Sequence, residues 1–234
     1  MATTMKETIK RIAKDVANII KNPLDSNGIF YSHDEDDILK GYALIIGPEN
    51  TPYAYGYYLF KLDFPNNYPY APPKVTYLTN DGNTRFHPNL YRNGKVCLSI
   101  LNTWRGEQWS SCQTISSILL TIISVMTKDP LYQEPGMNKF NSKKESEIFN
   151  QIIQYKNIEV AIFNILLNKY NLPIYELFCD KIIESFKINK DNILNNINLF
   201  KKTTTPDVLY CDIYKMTYGI NYNLLLGTFK TINI

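Results

Sequence analysis

The sequence predicts an α+β fold, and three observations carry that expectation. The chain opens on an amphipathic helical pattern, passes into short β-rich runs joined by brief turns, and returns to helical periodicity beyond Pro135-Gly136. With 234 residues, 44% hydrophobic and 20% charged, it can bury a sizeable core, which excludes disordered, collagen-like and coiled-coil classes. A net charge of +3 is too balanced for a dedicated nucleic-acid or membrane-surface binder, so neither partner is expected.

In the first helix, Met5, Ile9, Ile12, Val16 and Ile19 recur at helical spacing on one face, and Asn22-Pro23 ends it. Lys6, Lys10, Lys14 and Lys21 stand largely off that face, as a solvated surface or as a basic docking face for an acidic partner. Residues 28–32, 38–46, 55–64 and 74–79 are rich in Ile, Tyr, Phe and Val. The turn signals between them are short, which predicts a four-stranded antiparallel meander. The prolines of Tyr68-Pro69-Tyr70-Ala71-Pro72-Pro73 remove backbone donors and make a rigid shoulder, where a cis X-Pro bond can sit. Residues 113–127 form a second helix, with Ile115, Ile118, Leu119, Ile122 and Met126 inward and Ser110 or Ser111 as N-cap. Further helices are expected over 142–170 and 172–200, broken at Asn171–Pro173, and the Tyr-rich tail 208–234 is ambiguous. The division predicted is a core over 1–140 and a mainly helical extension over 141–234, packed on or beside it.

Between the sheet and the second helix, residues 80–111 are largely non-periodic, and a long irregular stretch inside a domain is where chemistry is expected. Asn93-Gly94 predicts a two-residue type I′ turn, setting Arg92 opposite Lys95, Tyr91 opposite Val96 and Leu90 opposite Cys97. Asn89 then lies within a residue of the Cys97 thiol. A side-chain amide there can stabilise the oxyanion formed when a nucleophile attacks an acyl carbonyl. A lone Cys is more often a packing residue, but loop neighbours move the balance toward reactivity. With four Cys, two His and no CxxC pair, neither a metal site nor a disulfide framework is expected. Cys112, Cys179 and Cys211 read as packing residues, and His33 as a surface residue of the acidic turn Asp34-Glu35-Asp36-Asp37. The first residues, Met1-Ala2-Thr3-Thr4-Met5-Lys6, lack the apolar core of a signal peptide, and no run is long enough to span a bilayer. A cytoplasmic or nuclear protein of a reducing compartment is expected.

Taken in order, Tyr68–Pro73, His87-Pro88-Asn89, Cys97 and Trp109 make the sequence resemble the ubiquitin-conjugating enzymes, from about Met5 through Gly136. Cys97-Leu98-Ser99-Ile100-Leu101 and Glu134-Pro135-Gly136 are most similar to the C-terminally extended Z branch. The resemblance implies the ubiquitin-conjugating fold and needs no cofactor. Its members take the C-terminal carboxyl of ubiquitin or a ubiquitin-like modifier from an activating enzyme as a Cys thioester, here on Cys97. They pass it to lysines of protein substrates or act with ubiquitin ligases. Asn89 matches the Asn that stabilises the oxyanion or orders the loop, and His87 a residue that holds the loop. Phe64 and Ser110 match positions where ligases bind. The helix carrying Lys6, Lys10 and Lys14 matches the surface that meets the activating enzyme.

The chain departs from the family pattern in four places. The usual Ser-Pro-Ala after the Trp reads Ser110-Ser111-Cys112. Ser99 stands where many members have Asp. No acid follows Glu134-Pro135 to orient the incoming lysine. Residues 103–107 lengthen the Cys97-to-Trp109 segment, as a surface insertion or as a lip over the site. A cysteine hydrolase using Cys97 and His87 is disfavoured by Pro88 and by the lack of any His after Cys97. An inactive ubiquitin-binding scaffold of the same fold is the remaining alternative.

Overall fold

The opening apolar pattern forms helix α1 (Met5–Lys21), as expected, but its buried face is rotated from the one predicted. Thr8, Ile12, Asp15 and Ile19 point inward, whereas Met5 and Ile9 are exposed. Two buried polar groups decide this, because each finds a partner. The Thr8 hydroxyl donates to the Asn66 carbonyl at 2.7 Å, and the Asp15 carboxylate accepts from Arg11 at 3.0 Å and from the Tyr68 hydroxyl at 2.5 Å. Burial, with Asp15 behind it, holds the Tyr68 phenol well above its ordinary range.

The structure, a computed structural model, describes residues 5–204 and 207–233. Met1–Thr4, read above for a leader, and Ile234 at the end of the tail lie outside the described residues. The chain forms two compact units. The first takes the chain up to Ile45, then Tyr58–Leu78 and Asn89–Val125; the second takes Ile46–Tyr57, Thr79–Pro88 and Met126 onward.

The β-rich runs form β1 (Ile29–His33), β2 (Lys40–Ile46), β3 (Tyr57–Asp63) and β4 (Lys74–Tyr77), a sheet ordered β1-β2-β3-β4. Antiparallel register pairs Ile29 with Ile45 and Phe60 with Tyr77. The Tyr68-Pro69 bond is cis. Helix α2 (Ile115–Val125) buries Ile115, Ile118, Leu119 and Ile122. Its N-terminus is capped not by Ser110 or Ser111 but by Thr114. The Thr114 hydroxyl accepts from the Ser117 N–H, and the Ser117 hydroxyl from the Thr114 N–H, a reciprocal capping box. Arg11 of α1 reaches the carbonyls of Ser111 at 2.6 Å and Gln113 at 2.5 Å, fixing the entry to this helix.

In the second unit, α3 (Lys143–Lys156) does not run on to residue 170. It widens into a π-helical stretch, Asn157–Asn164, as the Asn157 amide donates to the Ala54 carbonyl at 2.9 Å. Asn168 and Asn171 then take left-handed conformations, with φ of 44° and 48°, and end the helix. Helix α4 (Cys179–Thr203) follows. The ambiguous tail folds as a hairpin, β5 (Val208–Cys211) with β6 (Met216–Gly219), and α5 (Tyr222–Thr231). Phe229 of α5 packs near Phe163 and Phe186, so the tail helix closes an aromatic core that the helices share. Among the described residues no helix is long and apolar enough to cross a membrane.

Candidate active site

The loop bearing Cys97 is built largely by its own backbone. Leu90 bridges Val96, the Tyr91 N–H donates to Lys95 at 2.9 Å, and the Cys97 N–H donates to the Asn89 carbonyl at 2.9 Å. This register is one residue off the predicted one: Leu90 faces Val96, and Asn89 faces Cys97. The turn has three residues rather than two. Gly94 alone takes a left-handed conformation, at φ +83°, and its N–H donates to the Tyr91 carbonyl at 2.9 Å. Such a type I turn closed by a left-handed Gly shifts the pairing relative to a type I′ turn. Gly94 is also needed because its backbone lies against β4. The Tyr77 N–H donates to the Gly94 carbonyl at 2.7 Å, and a Cβ on Gly94 would stand 2.8 Å from the Tyr77 oxygen.

The expected juxtaposition of Asn89 and Cys97 is present, in a specific form. The Asn89 amide donates to the Cys97 carbonyl at 2.5 Å, so it first orders the loop. Cys97 is 2% exposed, and its thiol donates to the Thr103 carbonyl at 2.6 Å. The Thr103 hydroxyl accepts from the Leu98 N–H at 2.9 Å and lies within reach of the Val96 and Leu98 carbonyls. The lengthened segment is therefore a lip whose first residues close over the sulfur. Its base is fixed: the Asn102 side chain accepts from the Trp109 N–H at 2.8 Å, and the Trp109 indole donates to Pro69 at 2.7 Å. Between them, residues 102–108 are exposed.

His87 belongs to the second unit, is fully buried, and stacks at a tilt 6.0 Å from the Tyr53 ring. The approach to it is gripped by residues that the sequence did not single out. Arg85 donates to the His87 carbonyl at 3.0 Å and the Pro88 carbonyl at 2.5 Å, with its guanidinium over the Tyr214 ring. The Arg85 N–H meets the Met216 sulfur, and the Thr84 hydroxyl pairs with that of Tyr218 at 2.9 Å. Beside them Lys156, 8% exposed, bridges Asp81 at 2.9 Å and Glu159 at 2.5 Å, and lies over the Tyr218 ring. Burial alone would pull the Lys156 ammonium down, but the bonds to Glu159 and Asp81 outweigh it and hold its pKa above the usual lysine value. No spacing signal marks this cluster, because its members come from segments far apart in sequence.

The remaining expectations fall out unevenly. Lys6, Lys10 and Lys14 are exposed on α1, and Ser110 is exposed. Phe64 is 4% exposed and edge-on to Tyr68, so its ring serves the core in this structure. Cys211 is buried, but Cys112 is exposed and does not pack as expected. His33 is not a plain surface residue: its ring bonds the Tyr31 hydroxyl at 2.7 Å and the Ile38 carbonyl at 3.0 Å. Desolvation lowers its pKa against the raising effects of the Ile38 carbonyl, Asp34 and Asp37. Glu134, which precedes the missing acceptor-orienting acid, accepts from the Tyr214 hydroxyl at 2.5 Å.

A family model described as ubiquitin-conjugating enzyme matches residues 11–157. The chain belongs to this family. It is 43% identical over 169 residues to ubiquitin-conjugating enzyme E2 Z of Danio rerio, covering 72% of this chain and 51% of that protein. The Homo sapiens E2 Z is 43% identical over 171 residues, covering 73% and 48%. A probable ubiquitin-conjugating enzyme protein 17 of Caenorhabditis elegans is 37% identical over 212 residues, covering 87% and 29%. The chain thus spans about half the length of the E2 Z relatives, and the similarity to the worm protein reaches into the extension.

Proposed function

We propose that this chain accepts ubiquitin or a ubiquitin-like modifier from an activating enzyme as a thioester on Cys97, then passes it to a lysine amine or works with a ligase. The observation that carries this reading is the Asn89–Cys97 pairing: the amide sits on the carbonyl of the residue whose sulfur would bear the acyl group. In loading, the Cys97 sulfur gives up its proton and attacks the modifier's thioester carbonyl. A new C–S bond forms, and the old C–S bond breaks as the activating enzyme's sulfur leaves and takes up a proton. In transfer, the lysine nitrogen forms the amide, the C–S bond breaks, and Cys97 regains a proton. As the tetrahedral carbon forms at each step, an Asn89 donor can meet the oxyanion. His87 acts as a structural support of the loop, through its burial and the Arg85 bond to its carbonyl. Residues 1–140 form the catalytic core in this reading, and 141–234 an extension that steadies it. The exposed lysines of α1 are the proposed contact with the activating enzyme, and the exposed Ser110 the contact with ligases, with the buried Phe64 supporting its own loop from below.

A second reading, a catalytically weak ubiquitin-binding scaffold, is favoured by the thiol's position under the Thr103 carbonyl. One experiment separates the two. The protein is mixed with ubiquitin, ATP·Mg²⁺ and each ubiquitin-activating enzyme in turn, and run on gels with and without reductant. A reductant-sensitive adduct lost in Cys97→Ala supports the conjugating reading, and Cys97→Ser should give a reductant-resistant, alkali-labile oxyester. No adduct with any of the activating enzymes leaves the scaffold reading in place.

A further inference from the structure

A cavity of about 540 Å³ opens between β4 and the turn of the Cys97 loop. Pro72, Val75, Val96 and Leu101 give it an apolar floor and walls, and Lys74 and Lys95 stand on its rim. Among the described residues no acidic side chain lines it. Among the described residues neither lysine is in an ion pair, and the Lys95 ammonium lies over the Tyr91 ring at 5.6 Å. Thr103 is both a lining residue and the acceptor of the Cys97 thiol, so the cavity abuts the reactive sulfur through one shared residue.

We propose that this groove holds an acidic segment of the acceptor protein, adjacent in sequence to the lysine that is modified. The inference rests on the thioester reading given above. An amine delivered to Cys97 brings its neighbouring residues over the walls of the site, and here the nearest wall is apolar with two cationic rims. Carboxylates flanking the target lysine meet Lys74 and Lys95, while the same two ammonium groups keep the lysine itself from settling in the groove and leave it for the sulfur. The groove also supplies orientation from the substrate side in a chain that lacks an acid after Glu134-Pro135.

The test is single-turnover discharge of the ubiquitin-loaded protein to two peptides, each with one lysine, flanked by two Glu in one and two Gln in the other. Each variant's rates are normalised to its own discharge onto free lysine. The Glu peptide should react roughly three- to tenfold faster at low ionic strength, since exposed pairs are individually modest. The advantage should shrink in 0.5 M salt, where screening falls within a few ångströms, on the order of 4 Å. The double variant Lys74→Glu, Lys95→Glu should bring the ratio to one or invert it. Equal rates in the parent protein, or an advantage retained in the double variant, would overturn the inference. Failure to load ubiquitin removes the thioester reading instead, and the groove is then judged by fluorescence anisotropy of the labelled peptides on the unloaded chain. Binding of the Glu peptide that the double variant loses sustains the groove. Equal affinity for both peptides, or equal competition by a single-stranded oligonucleotide, rejects it.

Discussion

The two stretches on either side of Pro88 are held by different means. Residues 89–97 fold on themselves: Asn89 receives the Cys97 N–H, Tyr91 exchanges bonds with Lys95 and Gly94, and the Asn89 amide returns to Cys97. Residues 79–88 bond locally through side chains, with Asp81 accepting from Asn83 and Thr84 and Arg85 donating to the His87 and Pro88 carbonyls. They are gripped as well by Lys156, Tyr214, Met216 and Tyr218 from the extension. The Cys97 loop is thus held by its own residues, whereas the stretch leading to His87 depends also on residues that follow their partners by 70 positions or more. An extension that merely decorated the fold would leave the second stretch without these partners.

Lys156→Met should break this comparison most sharply. It leaves Asp81 without its cation in a largely buried setting, a loss of about 3 kcal/mol. That corresponds to a fall of roughly 6–12 °C in Tm, read by calorimetry. Amide exchange should accelerate at Thr84 and Arg85 but little at residues 89–97; equal acceleration in both would mean that they open as one unit. Gly94→Ala attacks the other stretch. A Cβ at φ +83° and 2.8 Å from the Tyr77 oxygen should cost about 2 kcal/mol and reduce ubiquitin loading, with exchange at Thr84 and Arg85 unchanged. Asn89→Ala removes one hydrogen bond, about 1 kcal/mol of stability. It should slow transfer to lysine more than loading of Cys97, and equal slowing of both steps would leave Asn89 only its loop-ordering role.

The smallest effect is a pH dependence outside both stretches. Desolvation lowers the His33 pKa in the folded chain, so the unfolded chain binds that proton more readily. His33 should therefore cost stability as pH falls below its ordinary value of about 6.5, with the loss complete below the folded pKa. The Tm difference between the parent and His33→Gln should shift by about 1 °C between pH 7.5 and 5.5. A difference that does not move with pH would dismiss this linkage.

Much of the first stretch was legible in the sequence because its determinants are neighbours. His87-Pro88-Asn89, the turn at Gly94 and Cys97 lie within a dozen residues, and a hairpin must bring Asn89 to Cys97. The one-residue register error came from turn chemistry: Asn-Gly fits both a two-residue type I′ turn and a three-residue turn with Gly left-handed, and contact with β4 selects the second. The rotated face of α1 has a similar cause. Periodicity scores Met5 and Ile9 as inward because they are apolar, but Thr8 and Asp15 take that side because Asn66 and Tyr68 satisfy them.

By itself the sequence determined the α+β class, the order of elements from α1 through α2, the irregular stretch that follows the sheet and the pairing of Asn89 with Cys97, since local periodicity, turn residues and motif spacing encode these directly. Only the tertiary structure decided how the tail folds, that the Lys156–Asp81–Tyr218 cluster grips the approach to His87, and that Thr103 covers the thiol. Each of those depends on bringing distant polar groups into mutual reach, where burial makes an unpaired charge or donor costly and a paired one decisive, and no short window of sequence contains both partners.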